Sequence, residues 1–463
     1  MQDVGNVPVD GKKIRSLRKA KFRSQGKLLD RIAKLGGTLS LHELSNIENG
    51  RSPTMRRMNF DFLRRALDVF SFQIERASDG SERSIVEESE REYSEPVLSP
   101  IELYCENQLY KAEKVRAHVS AVRLWGAGDH FVTEQHFDAT YVHQPFKVHS
   151  DLKKARDEWI VRRKKETEAS GQLFFNGPNL RLMSFRDTVS TISGTPREQP
   201  RIEVRLGPVE WFDFAGLNGR MRGILDKPAD FEKYLKLSEI LKSRNVSDNS
   251  MLTNIVDCNV TIITTDGYAA YQLRSTYNES VPYTLSSSVS ENVNRYKDDV
   301  TKQGKAGFQL VNPDYESEKE VKEGYKPRGV PHPFWTARRG IGEELSTSLL
   351  DYLQPNALKL TGICYNLEGY HPDFLFVAAI DLTKKEVEEK CQRNPGKGFR
   401  EVGELRFTRA CIDDETERLL AQPGWVAGDE ASLFRALEVI ESLKKQGDYP
   451  NVFRLLRDRS SGG

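Results

Sequence analysis

Apolar residues recur at helical spacing near the start of the chain: Ile14 and Leu17, then Leu28, Leu29 and Ile32, then Leu41, Leu44 and Ile47, then Phe60, Leu63, Ala66 and Leu67. Residues three or four apart share one face of an α-helix, so the pattern predicts at least four short helices. Gly36 and Gly37 separate the second from the third. Asn49-Gly50 followed by Ser52-Pro53 stops the third, since glycine enters the left-handed conformation that ends a helix and proline does not continue one. Across 77–100 the period disappears into Ser and Glu, which predicts a solvated acidic linker. Beyond it, aromatic-rich strand-like runs flank one strongly charged helix over 151–168, whose Leu152, Ala155, Trp159 and Ile160 fall on one face. The run VDCNVTIITTDGYAAYQLRS predicts two strands joined at Asp266-Gly267, a hairpin signal. FWTARRGIGEELSTSLL predicts a helix through the stripe Trp335, Ala337, Ile341 and Leu345, and ICYN and FLFVAAIDL predict further strands. No period of about 20 to 50 residues repeats, which excludes a solenoid or propeller.

A chain of 463 residues has room for about three domains, and its 38% apolar and 30% charged residues are those of a soluble globular protein. No run approaches the roughly 20 apolar residues of a membrane helix. No apolar core follows the early lysines and arginines, so no secretory signal is expected and the location expected is cytoplasmic. The cysteines, Cys105, Cys258, Cys364, Cys391 and Cys411, are odd in number and scattered, which excludes a disulfide framework and a zinc knuckle. His130, His136, His143 and His149 lie close in sequence, but six or seven residues apart they lack the short spacing of local zinc ligands.

Charge divides the chain more sharply than its overall balance of +1 suggests. Residues 1–70 hold 15 Lys and Arg against 7 Asp and Glu, whereas 71–106 hold 3 against 10. A basic module before an acidic segment points to nucleic acid as a partner of the first.

Within that module SLHELSNIENGRSPT carries Ser45, Ile47, Glu48, Gly50 and Pro53, and IRSLRKAK with Ser24-Gln25 precedes it. This resembles the helix-turn-helix of the Cro/repressor (XRE-like) family over most of residues 10–70. The interval from Gln25 to Gly36 is about one helical turn longer than that family shows. The resemblance implies that Leu41, His42, Glu43 and Asn46 face the major groove of double-stranded DNA, with Gln25, Lys27 and Arg51 near phosphates. It further implies a homodimer, because one recognition helix gives limited specificity. A small helical bundle for self-association is the blander reading.

In the C-terminal half the order of hairpin, loop, acidic helix and strands resembles the Nudix hydrolase fold, and Arg339, Ile341, Glu343 and Glu344 match the second half of its box. The box's Arg-Glu is Arg339-Gly340 here, and its upstream Gly and Glu fall on Tyr325 and Pro331; a gapped reading recruits Glu291 or Glu323 instead. Adjacent carboxylates suit a hard cation, so Mg²⁺ on Glu343 and Glu344 is expected, with Arg339 pairing with Glu343 at i,i+4. Gly340 and Gly342 each cost a helix roughly 1 kcal/mol relative to alanine, which predicts close backbone approach there. Upstream, Phe174-Phe175-Asn176-Gly177, Arg181-Leu182, Leu206-Gly207, Phe212, Gly216 and Asn218 resemble the N-terminal portion of the UDP-glucose-hydrolysing Nudix branch. That implies a nucleoside diphosphate-linked small molecule as ligand, with Asn218 and Arg274 as candidate contacts.

The expected architecture is therefore α+β and multidomain: an all-α helix-turn-helix domain at 1–75, an acidic linker at 76–100, an α/β extension at 101–248, an α/β Nudix-like domain at 249–450 and a tail at 451–463. The expected function is a DNA-binding transcription regulator that senses a nucleoside diphosphate-linked metabolite. The alternatives are a Mg²⁺-dependent Nudix hydrolase with Arg339, Glu343 and Glu344 as catalytic residues, and a defence or stress protein that recognises a signalling nucleotide.

Overall fold

The computed structural model describes residues 6–8, 11–21, 24–34, 39–52, 54–56, 63, 74–76, 82–84, 100–112, 117–170, 176–191, 198–221, 228–274, 284–295, 331–354, 356–400, 402–422, 424–445 and 449–458. They fall into two units, 1–94 and 95–463.

The first unit holds helices α1 (Gly11–Lys21), α2 (Gln25–Lys34) and α3 (Leu41–Glu48). Ile14, Leu28, Ile32, Leu44, Ile47 and Leu63 are buried, the face that the helical spacing marks out. Ser40 caps α3, accepting from Glu43 N while the Glu43 carboxylate accepts from Ser40 N, so both ends of a capping box are made. The helix stops where expected, with Gly50 at φ +70°. The start of α1 lies tight against α3: a Cβ on Gly11 would stand 1.8 Å from the Ile47 carbonyl oxygen. Strands β1 (Asn6–Pro8) and β2 (Thr54–Arg56) pair antiparallel, as do β3 (Ile74–Arg76) and β4 (Glu82–Ser84). Of the expected fourth helix only Leu63 is among the described residues, and most of the acidic linker, 85–99, lies outside them.

The second unit is mixed α/β, built on a large mixed sheet. Its strands are β5 (Leu109–Ala112), β6 (Ala117–Trp125), β10 (Asp257–Ile263), β11 (Tyr268–Arg274), β12 (Leu285–Ser287), β13 (Val289–Asn292), β14 (Leu358–Asn366), β15 (His371–Ala379) and β16 (Val402–Arg409). They run in the order β12-β11-β10-β15-β14-β6-β5, with β13 against β10 and β16 against β11. The β10–β15 pair is parallel, and every residue of β14 and β15 is buried, as strands covered on both faces must be. Helix Pro333–Gly340 continues as a wider π-turn over Ile341–Leu345 and packs its Phe334, Ala337, Ile341 and Leu345 into one core. Helix Ala427–Lys444 closes the other core through Ala431, Leu433, Leu437 and Ile440. A second sheet joins β7 (Phe137–Tyr141) parallel to β9 (Glu198–Glu210), and β8 (Pro178–Thr191) antiparallel to β9. The charged helix spans Ser150–Ser170 and crosses helix Trp211–Met221, where Arg156 meets Asp213 at 3.2 Å. Among the described residues no helix is long and apolar enough to cross a membrane.

Two expected boundaries shift. Strands β5 and β6, upstream of 248, pair through β6 with β14, so the expected extension supplies part of the main sheet rather than standing before it. The expected tail begins inside a helix, Tyr449–Asp458, whose Val452, Phe453 and Leu456 are buried.

Candidate functional site

In the first unit α3 is fixed from beneath by Glu48, which is 2% exposed. Its carboxylate takes both ends of the Arg18 guanidinium, at 2.6 and 2.9 Å, and the Gln25 amide at 3.0 Å, tying α1 and α2 to α3. A bidentate Arg–carboxylate pair sets orientation as well as attraction. Arg15 adds a contact to Asn49. Of the residues expected to meet DNA, Leu41, His42, Lys27 and Arg51 are exposed and Asn46 is half-buried, its amide beside the His42 ring. Glu43 is committed to the Ser40 cap and Gln25 to Glu48, so these two hold the helices rather than standing free for bases or phosphates.

In the second unit the chemistry gathers where the main sheet opens. Strands β10 and β11 pair only at Ile263 and Ala269 and then diverge, and the β12–β13 segment fills the gap between them. On the side of helix Pro333–Gly340, Arg339 Nη1 lies 3.1 Å from Glu291 and 3.0 Å from Glu343, the i,i+4 pair the sequence suggests, while its Nη2 donates to the Asn292 carbonyl. Glu344 accepts from Gln272 Nε2 at 3.2 Å and from the Ser290 amide at 3.1 Å. Burial raises its pKa well above the carboxylate range, with Glu291 adding to the effect. Glu291 stands beside Glu343 and Glu344, whereas the other upstream carboxylate, Glu323, lies with Tyr325 outside the described residues.

Gly340 explains itself in this packing. A Cβ there would stand 2.4 Å from Val289 Cγ1 and 3.0 Å from Glu291 Cγ, so the glycine lets the helix lie directly on β13. Around Gly342 the approach comes from the other chain segment, since a Cβ on Gly396 would meet the Gly342 and Glu343 carbonyl oxygens.

Ser290 also leads through to the other side of the opening, its hydroxyl donating to Asp257 at 3.2 Å. Asp257 and Asp373 are register partners on the parallel strands, and His371 lies two residues before Asp373 on the same face of β15. One ligand atom from each of Asp257, His371 and Asp373 lies within 4.8 Å of the others, the only three-residue group of metal-ligating side chains among the described residues. His371 Nε2 is 3.0 Å from Asp373 Oδ1, while the other edge of its ring lies over Gly369. Asp373 Oδ2 accepts from Asn366, and a Cβ on Gly428 would stand 1.8 Å from it, so the helix Ala427–Lys444 begins directly over this carboxylate. Asn259 Oδ1, buried two residues along β10 from Asp257, has no hydrogen-bond partner among the described residues. Asp429 is fully buried and held by Ser287 at 2.6 Å and Arg274 at 3.2 Å.

Burial, reinforced by Asp373, pushes Asp257 up to about 7. Burial alone would lower His371, but Asp373 and Asp257 outweigh it and carry it up to about 9. Asp429 is also raised, by burial against the opposing pull of Arg274. The carboxylates of Asp257, Glu291, Glu343, Glu344, Asp373 and Asp429 outnumber Arg274, Arg339 and His371 around the opening, and burial favours the protonated forms of Asp257, Glu344 and Asp429.

Several of these residues were missed by sequence reasoning. Asp257 and Asp373 border apolar runs, and Asp429 lies in the polar first turn of a helix; the only signal was the His-x-Asp spacing of His371 and Asp373 that puts two ligands on one face of a strand. Arg274 does reach the site. Asn218 does not stand free: 1% exposed, it donates to the Gly369 and Tyr370 carbonyls and accepts from Thr253, so it fixes the turn just before His371 and is corrected from a ligand contact to a positioning residue. Asn176 likewise accepts from the Phe212 amide and caps helix Trp211–Met221.

No protein-family model matches the chain. A search of curated proteins likewise finds no significant match.

Proposed function

We propose that the protein is a DNA-binding regulator whose second unit takes a nucleoside diphosphate-linked metabolite together with a divalent cation. The observation that carries the ligand half of this reading is the excess of carboxylates over cations at the sheet opening, with Asp373 and Asp429 buried and Asp257, Glu291, Glu343 and Glu344 half-buried. Uncompensated charge in a protein interior is costly, and a cation relieves it where the alternative is the uptake of protons. Asp257, His371 and Asp373 fit such an ion, with an imidazole nitrogen and carboxylate oxygens within 4.8 Å of one another. A mixed nitrogen and oxygen set favours Mn²⁺ or Zn²⁺ over the all-oxygen preference of Mg²⁺. Bound there, the ion would neutralise the charge of a diphosphate. Glu343 and Glu344 are occupied by Arg339, Ser290 and Gln272, which favours holding a ligand over hydrolysing it. The DNA half rests on the resemblance of α2 and α3 to the Cro/repressor motif and on the exposed Lys27, Leu41, His42 and Arg51.

A hydrolase is the second reading, supported by Glu291 standing beside Glu343 and Glu344 on a helix widened by a π-turn, a distortion common at functional sites. The experiment is titration of the full-length protein with Mn²⁺, Zn²⁺ and Mg²⁺, alone and with UDP-glucose, ADP-ribose or NAD, scoring binding, turnover and affinity for DNA. Cation binding weakened about tenfold or more by Asp373→Asn supports the site. Equal binding by parent and Asp373→Asn refutes it, and turnover lost in Glu344→Gln selects the hydrolase. Unchanged DNA affinity at saturating ligand removes the sensor, since a ligand shifts an equilibrium only by its differential affinity.

A further inference from the structure

A second concave site lies away from the carboxylates. Its walls come from the segment following β7, from β8 and from the stretch around Lys236 and Asp248, and it encloses about 560 Å³, within the range of small-molecule pockets. Its charged lining is cationic: Arg181, Lys147, Lys233 and Lys236, with His143 and His149 on the rim.

Arg181 is the informative member. Only 6% exposed, it donates from Nη2 to the Gln144 carbonyl at 3.3 Å and packs its guanidinium 5.6 Å from the centre of the Phe146 ring. Its Nε has no hydrogen-bond partner among the described residues. Buried guanidinium groups are ordinarily paired, because removing a charge from water costs several kcal/mol. Here no carboxylate forms an ion pair with Arg181, Lys147, Lys233 or Lys236 among the described residues. The one acid in the lining, Asp248, is taken up by Asn245 at 2.7 Å and Ser247 at 3.3 Å. Burial weakens the hold of Arg181 on its proton, against the opposing pull of Asp248. Phe146, Pro145 and Met251 add apolar wall beside the charges.

We propose that this cavity binds a phosphate-bearing small molecule, with Arg181 as the buried anchor, Lys147, Lys233 and Lys236 as surrounding charge, and Phe146 and Met251 packing the uncharged part. A planar guanidinium suits a phosphate by presenting parallel donors, and its stacking on Phe146 holds that fork in place. The site is independent of the cation reading at the sheet opening.

The test is calorimetric titration of the full-length protein with inorganic phosphate, pyrophosphate, ADP and adenosine. Saturable binding of pyrophosphate or ADP, none of adenosine, and a loss of about tenfold or more in Lys147→Glu and in Lys236→Glu are expected. These two variants alter exposed side chains, so they stay informative even where Arg181→Met fails to fold. The proposal is overturned by no saturable heat with any phosphate-bearing probe, by binding unchanged in both charge reversals, or by binding lost in Asp373→Asn and kept in Lys236→Glu, which puts the ligand at the carboxylates instead. Tighter binding of a single-stranded oligonucleotide than of pyrophosphate also overturns it, in favour of a nucleic-acid surface.

Discussion

Replacing Gly340 by alanine tests whether helix Pro333–Gly340 is seated on β13 as closely as the structure shows. In an exposed helix the change is stabilising by roughly 1 kcal/mol, because glycine loses more backbone freedom on folding. Here the new methyl would lie 2.4 Å from Val289 Cγ1, well inside contact distance. Val289 is fully buried and pairs with Val260 across the ladder, so it has little room to retreat. Overpacking of this kind costs about 1–3 kcal/mol, and since the chain runs on helically into the π-turn the propensity gain of up to about 1 kcal/mol opposes it. A net loss of up to about 2 kcal/mol is expected. The cycle with Val289→Ala isolates the cause: that change alone costs about 2 kcal/mol through lost burial, yet it removes the clashing methyls, so the double variant should be more stable than additivity predicts by about 1–3 kcal/mol. The protein's 5 tryptophans all lie in the second unit, so urea unfolding followed by tryptophan fluorescence reads this unit alone. A Gly340→Ala protein at least as stable as the parent, or strict additivity in the cycle, would refute the close approach.

Glu48→Ala leaves Arg18 buried without its partner and should cost the first unit about 3–5 kcal/mol, lowering its helical circular dichroism melt while the tryptophan transition stays in place; an unchanged melt would show that Glu48 does not join the helices. Arg435 is fully buried and donates to the carbonyls of Thr361, Gly128 and His130, besides pairing with Glu438. Arg435→Met strands those acceptors and should destabilise the second unit by about 3–5 kcal/mol, and a loss under about 1 kcal/mol in the urea midpoint would contradict this. Glu430 is raised well above the usual carboxylate range by burial, with Glu368 and Glu102 adding to it. A raised carboxyl pKa means that folding favours the protonated form, so stability is lost as pH climbs above the unfolded value. Glu430→Gln should therefore gain over the parent at about pH 8 and match it near about pH 4; a gain that does not depend on pH would rule the carboxyl out.

The helices of the first unit were legible because burial and period coincide: Ile14, Leu28, Ile32, Leu44 and Ile47 are at once the periodic residues and the buried ones. Gly50 was legible as a stop because a positive φ there has few other tenants. Strands β10, β11, β14 and β15 followed from apolar runs and the Asp266-Gly267 turn. Which strands would neighbour one another did not follow, since nothing local in 117–125 marks it as the partner of 358–366. The last helix was written in Tyr449, Val452, Phe453 and Leu456 at helical spacing, and was passed over because it lies close to the end of the sequence.

The site divides along the same line. Arg339, Glu343 and Glu344 are close in sequence, so a helix brings them together by its own geometry and a motif reveals them. Asp257, His371, Asp373 and Asp429 meet only through the β10–β15 pairing and the seat of helix Ala427–Lys444, and along the chain their three segments lie far apart and share no motif. Their burial is itself the clue once the strands are placed. A fully covered strand has no solvent face on which a carboxylate can stand, so an Asp inside one must have partners in the interior, and at the sheet opening those partners are too few to balance it. The opening of an apolar strand with His371-Pro372-Asp373 is therefore better evidence of chemistry than the denser histidines at 130–149, because only the buried residues carry an electrostatic cost that a ligand would relieve.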